Sequence, residues 1–356
     1  MAQNSDMGAV LDDDAKARAA ILGAVPLTRM VDYGMDVGSA MRTIEAVTSG
    51  ETLDLAAERQ TEGPLRTLEQ LGGPSRLGLL RNVIGSLVVA QLPFNVDTDR
   101  KRELIRAIET RVGQLAEQAP DSYSPEVVPF AAHSLHALLV RPVGVIRPPT
   151  VILFGGLNGW GVAYLSIADC LAASGLACLL VELPGQGETR INGLDGRDDP
   201  VAAVSACVDW ILGDDRLGGQ VGVWGNSFGG LFSALAAAQD PRISACCISG
   251  APAVPVLPEF RTARELMFAF FGVSDPDAAN AELAGLTFTG RAFSQPVLIL
   301  HGGADPLVAR SDQEPFFIAG GTRARWQEWP DGNHTLYNHA VERNAIAADW
   351  FCQQLV

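Results

Sequence analysis

The chain has 356 residues, 47% hydrophobic and 19% charged. That is enough apolar material for one large or two ordinary domains, and it excludes a disordered or fibrous chain. Lysine and arginine number 26 against 41 aspartates and glutamates, a net charge of −15; a nucleic-acid binder needs a basic face, so that class is set aside.

The N-terminus, MAQNSDMGAVLDDDAKARAA, is polar and acidic and lacks the basic-then-apolar order of a secretory leader. Residues 1 to about 125 read as helical. LDLAAERQTEGPLRTLEQL and DTDRKRELIRAIETRVGQLAEQ repeat apolar residues every three or four positions, with Asp97 or Thr98 as N-cap of the second. Between them LGLLRNVIGSLVVAQL is continuously apolar, which reads as a buried helix or a face against the second half. APDSYSPEVVP, rich in proline and serine, marks a boundary.

From about residue 127 short apolar runs alternate with helical segments: HALLVRP, TVILFGG, ACLLVELPG, QVGVWGNS, SACCISGAP, PVLILHGG and ARWQEWP. Such alternation predicts a mostly parallel sheet with helices on both faces, and reactive groups then gather at the carboxyl ends of the strands. The six cysteines (Cys170, Cys178, Cys207, Cys246, Cys247 and Cys352) show no CxxC spacing. They read as buried reduced thiols in a cytoplasmic protein. No run of 18 apolar residues predicts a membrane span.

Three positions carry nucleophile chemistry. Gly225-Asn226-Ser227-Phe228-Gly229 is a G-x-S-x-G between a predicted strand and a predicted helix, a tight turn that lifts a serine Oγ clear of a sheet. Chance is the competing explanation in a chain with 37 glycines. Asp305 follows the PVLILHGG strand, where an acid holds an imidazole in one tautomer; the alternative is an Asx-turn before Pro306. His334 follows a Pro-Asp-Gly-Asn turn just before the last helix. Of the other histidines, His133 and His136 precede the parallel strands, His301 lies within a strand and His339 falls in the final helix. The chain order is serine, aspartate, histidine. An oxyanion hole needs the Phe228 amide and one from the turn Gly155-Gly156-Leu157-Asn158-Gly159-Trp160; Leu157 is the choice, with Asn158 its rival. Glu182-Leu183-Pro184-Gly185-Gln186-Gly187-Glu188 reads as a shaped loop beside the site. No helix is expected to open from it, so its glycines make a poor dinucleotide motif, and its carboxylates read as structural or solvated.

These motifs together resemble the α/β-hydrolase superfamily. The helical first half, with Asp32-Tyr33-Gly34, the Arg81-containing apolar helix and Leu138-Leu139-Val140-Arg141-Pro142 leading into the first strands, is similar to a narrower group. That group contains 2,6-dihydroxypseudooxynicotine hydrolase, the fungal polyketide-shortening hydrolases and the fermentation–respiration switch protein. The resemblance implies an α/β-hydrolase core at 127–356, a helical N-terminal cap domain at 1–126 and a small cap insertion at about 257–290. It implies a Ser227–His334–Asp305 triad, no cofactor or metal, a small-molecule substrate and a homodimer. Several members of the group cleave carbon–carbon bonds beside a ketone, and one brings a glutamate into the site from the segment after the sixth strand, which makes Glu259 a candidate here. Tyr33, Met41, Trp160, Phe260, Met267 and Phe268 are candidate pocket walls, each with ordinary core packing as the alternative. The expected reaction is hydrolysis of a bulky cyclic, aromatic or polyketide-like acyl compound, at a β-diketone-type C–C bond or an activated ester or lactone. A binding protein on a hydrolase shell, and an acyltransferase or cyclase with the same triad, remain alternatives.

Overall fold

The computed structural model describes residues 3–259 and 261–356, with side chains from Asp14 onward. Contacts divide the chain into two units, one ending at Gln118 and the other spanning Ala119–Val356. Among the described residues no helix is long and apolar enough to cross a membrane.

The first unit is helical throughout. Its continuously apolar stretch becomes the helix Ser75–Gln91, buried nearly all round from Val83 onward. It packs within its own unit against the helices Leu53–Arg59, Glu62–Leu68 and Asp99–Gln118. A helix enclosed by neighbours has no polar face to show, hence the lost periodicity. Asp99–Gln118 keeps a stripe of Leu104, Ile105, Ile108, Val112 and Leu115. Its cap is Thr98, whose Oγ1 accepts from the Lys101 amide at 3.1 Å.

The second unit is built on eight strands: β1 (Tyr123–Phe130), β2 (His133–Val140), β3 (Thr150–Phe154), β4 (Ala177–Val181), β5 (Val221–Asn226), β6 (Ile243–Ser249), β7 (Val297–Gly302) and β8 (Ala324–Trp329). The order is β1-β2-β4-β3-β5-β6-β7-β8. β1 and β2 are antiparallel to their neighbours and the others run parallel. Every residue of β3, β4, β5 and β7 is buried, which is why these strands read as unbroken apolar runs. β1 corrects the sequence reading, which took this stretch for a boundary turn. Pro125 and Pro129 lie inside it, yet it is the sheet's first strand and pairs on one side only. An edge strand has one row of unpaired backbone groups, so proline's missing donor costs no ladder bond there. The division after Gln118 therefore falls ahead of the expected 126/127 boundary.

Between β6 and β7 the chain leaves the sheet through the helices Arg261–Phe271 and Pro276–Gly285. The loop after β4 also departs from expectation, because a short helix, Gly187–Ile191, does open from it. Its first amides are taken by Glu182, whose Oε2 accepts from the Glu188 amide at 2.6 Å and the Thr189 amide at 3.4 Å. Glu182 is 7% exposed. Burial outweighs those two donors and pushes its carboxyl from an ordinary 4.5 up to about 8.

In the unfolded chain Glu182 loses its proton near its ordinary value, whereas the native protein holds it until about pH 8. Native stability is therefore expected to fall as pH rises through this window, by an amount on the order of a few kcal/mol. Glu182→Gln removes the titration. The decline in thermal midpoint between pH 5 and pH 8 should be shallower in that variant; equal slopes would show that the carboxyl is already ionised in the native state.

Candidate active site

β5 ends at Asn226 and the helix Phe228–Gln239 starts two residues later, so Ser227 alone turns the chain. It does so at φ +55° and ψ −133°, a strained conformation for a residue with a Cβ, costing on the order of 1–3 kcal/mol. The turn closes only because its flanks are bare. A Cβ on Gly225 would strike the Gly229 carbonyl, and one on Gly229 would strike the Gly155 carbonyl. The Ser227 amide donates to the Ser249 carbonyl at 2.7 Å, and the Ser227 carbonyl accepts from the Gly230 amide at 2.8 Å. With its backbone tied on both sides, the serine presents its hydroxyl at the carboxyl end of the sheet.

Asp305 stands three residues beyond β7, and its two oxygens are divided between two tasks. Oδ1 accepts from the Leu307 and Val308 amides at 2.8 and 3.1 Å. Oδ2 lies 2.8 Å from His334 Nδ1. The Asx-turn and the histidine pairing posed as alternatives in the sequence are both present, on different oxygens. The carboxylate is fully buried, and three donors compensate the loss of water.

His334 follows β8 and the turn at 330–333. Its Nε2 lies 2.8 Å from Ser227 Oγ. A carboxylate accepts only, so Asp305 accepts a hydrogen bond from Nδ1–H, which keeps the proton on Nδ1 and leaves Nε2 to accept from the serine. After His334 the chain turns sharply, with Thr335 and Leu336 at φ +53° and +65°. Arg343, fully buried in the helix Ala340–Leu355, braces that turn by donating to the Thr335 carbonyl at 2.9 Å. His339 precedes the final helix, correcting its expected place inside it, and its Nε2 lies 2.9 Å from Asp331 Oδ1.

The turn after β3 comes against the serine turn. A Cβ built on Gly156 would stand 2.9 Å from the Phe228 nitrogen and 3.1 Å from Ser227 Cβ. Leu157 and Asn158 are half-buried and Trp160 is buried. The Phe228 ring packs edge-on against Phe232, Phe270 and Phe271, with centroids 4.9, 5.8 and 6.2 Å away. The helix Arg261–Phe271 thus backs the residue next to the serine, and Met267 is buried in that helix. Phe268 is half-buried and Glu259 is exposed. Glu259 forms no ion pair among the described residues. Phe260 lies outside the described residues. Tyr33 and Met41 belong to the N-terminal unit, the first buried and the second exposed.

One residue of this region was passed over in the sequence. Gln186 is 1% exposed, and its Nε2 donates to the carbonyls of Gly155 and Gly156, each at 2.8 Å. Nothing in the sequence marks it beyond its residue type, an amide side chain between Gly185 and Gly187.

Residues 149–284 match the family model described as alpha/beta hydrolase fold. Among curated proteins, the 2,6-dihydropseudooxynicotine hydrolase of Paenarthrobacter nicotinovorans is 26% identical over 343 residues, covering 92% of this chain and 89% of that protein. Among solved structures, 2,6-dihydroxy-pseudo-oxynicotine hydrolase superposes with a TM-score of 0.81 at 19% identity, over 92% of this chain and 95% of that one. AbyA5 gives a TM-score of 0.65 at 19% identity, over 89% and 93%. The matches to the curated relative and to these two structures cover about nine-tenths of the chain, and on them the chain has the α/β-hydrolase fold and is similar to the pseudooxynicotine hydrolase group.

Proposed function

We propose that the protein is a serine hydrolase in which Ser227 is the nucleophile, His334 the general base and acid, and Asp305 the residue that orients the imidazole. The observation that carries this reading is the unbroken chain from Ser227 Oγ through His334 to the buried Asp305, with both contacts at 2.8 Å. His334 Nε2 takes the hydroxyl proton as Oγ attacks a substrate carbonyl. The Phe228 and Leu157 amides receive the developing oxyanion. The imidazolium then gives its proton to the leaving group. Water, deprotonated by His334, releases the acid from the acyl-enzyme.

The substrate class we propose is a bulky cyclic, aromatic or polyketide-like acyl compound, cleaved at a β-diketone-type C–C bond or an activated ester or lactone. The similarity to a protein named 2,6-dihydropseudooxynicotine hydrolase supports it. In the C–C case the leaving carbon departs as an enolate, and the His334 proton goes to that carbon.

Ser227→Ala and His334→Ala are expected to lower kcat by roughly 10⁶-fold and Asp305→Asn by roughly 10⁴-fold, with the thermal midpoint little changed. A fluorophosphonate should label Ser227 in the parent and nothing in Ser227→Ala. Undiminished turnover by purified Ser227→Ala would end the nucleophile assignment.

Gly156→Ala sets a methyl group beside the Phe228 amide. It should cost roughly 100-fold in kcat, as the loss of one oxyanion donor does. Full activity in that variant would take Phe228 out of the oxyanion site. An aryl β-diketone and an aryl ester, each followed by mass spectrometry of the products, separate the two bond types. Activity confined to small acetyl esters would sink the bulky-acyl reading.

A further inference from the structure

The loop after β4 reaches the turn after β3 through one side chain. Gln186 is buried and all of its carboxamide is engaged. Nε2 donates to the Gly155 and Gly156 carbonyls at 2.8 Å each, and Oε1 accepts from the Leu183 amide at 3.0 Å. The Gln186 backbone amide in turn donates to the Leu183 carbonyl at 2.9 Å, so side chain and backbone are both tied to Leu183.

The two carbonyls belong to successive peptide units, Gly155–Gly156 and Gly156–Leu157. Among the described residues every peptide bond is trans, and in a trans peptide the C=O and N–H point in opposite directions. Drawing both oxygens toward Gln186 turns the N–H groups of Gly156 and Leu157 away from it. The Leu157 amide donates to no backbone carbonyl among the described residues. Gly156, the residue shared by both units, is also the one that approaches the Phe228 nitrogen. The side chain that sets these peptide planes therefore sets the relation between the two proposed oxyanion donors.

We propose that Gln186 is the positioning residue of the oxyanion turn: its amide nitrogen holds the Gly155 and Gly156 carbonyls so that the Leu157 N–H is presented to the substrate oxygen. The assignment rests on the serine-hydrolase reading above. Nothing passes covalently through Gln186, and it touches no reacting atom. Its effect falls on the charge that develops in the transition state and not on ground-state binding or on the basicity of His334.

The test uses the full chain, an activated aryl ester, and an aryl trifluoromethyl ketone, which adds to a serine nucleophile as a tetrahedral adduct bearing an oxyanion. Gln186→Glu keeps the acceptor for the Leu183 amide but sets oxygen against the two carbonyls. Gln186→Met keeps the bulk and removes every polar contact. Rates are expressed per site titrated to completion with fluorophosphonate, so an unfolded fraction does not count. Both variants should lose roughly 10- to 1,000-fold in kcat with KM changed less than about threefold. The ketone's inhibition constant should rise in step with the loss in kcat/KM, while the midpoint of the pH–rate profile stays in place.

Parent-like kcat and ketone affinity in either variant would overturn the assignment and leave the serine reading intact. So would a loss confined to the number of titratable sites. A parent chain that neither labels at Ser227 nor binds the ketone would overturn both.

Discussion

The left-handed turn at Ser227 is the constraint around which the second unit is arranged. A side chain that must leave a buried central strand and face outward at once has only one residue in which to do so, and the backbone there is strained. The strain is held by contacts that leave no alternative: bare glycine faces at 225 and 229, the Ser249 carbonyl on one side and the Gly230 amide on the other. β5 lies between β3 and β6. The turn is therefore flanked by the ends of both neighbours, and the turns that follow them are the surfaces against which it closes.

Around that point the electrostatics are layered. Asp305 is buried but not isolated, since two amides satisfy one oxygen and His334 meets the other. The division of labour fixes the carboxylate's orientation before any substrate arrives, which is what pre-organisation requires. The histidine sits on a chain segment with two successive residues at positive φ, and Arg343 holds the carbonyl next to it. Strained backbone on the serine and histidine segments is braced by hydrogen bonds from elsewhere in the unit, so the 2.8 Å contacts reflect rigid supports and not the side chains alone.

The loop after β4 forms a second support. Glu182 gathers the first amides of a short helix, and Gln186, at the start of that helix, gathers two carbonyls of the neighbouring turn. One side chain accepts and the other donates, and both are buried. In a region without access to water each unpaired amide or carbonyl costs about 1–3 kcal/mol, so these contacts stabilise the loop while fixing its shape. The aromatic cluster of Phe228, Phe232, Phe270 and Phe271 adds apolar contacts beside the same loop, where a Cβ on Gly185 would strike the Phe270 ring.

The sequence by itself determined the strand and helix alternation, the sheet's parallel core and the positions of Ser227, Asp305 and His334. Each of these follows from local rules: buried strands must be continuously apolar, a tight strand-to-helix turn must have glycine on its flanks, and reactive groups sit just past strand ends. Tertiary structure decided the rest. β1 was hidden because Pro125 and Pro129 are tolerated only at a sheet edge, and edge position is a property of strand order, not of the segment. Whether Asp305 made a turn or faced a histidine was undecidable locally, because a carboxylate has two oxygens and only the folded chain shows where each one goes. Gln186 carried no signal beyond its residue type, since its partners lie about 30 positions earlier in the chain and are backbone carbonyls that every residue possesses. Contacts to backbone leave no pattern in side-chain identity; only the approach of two distant loops reveals them.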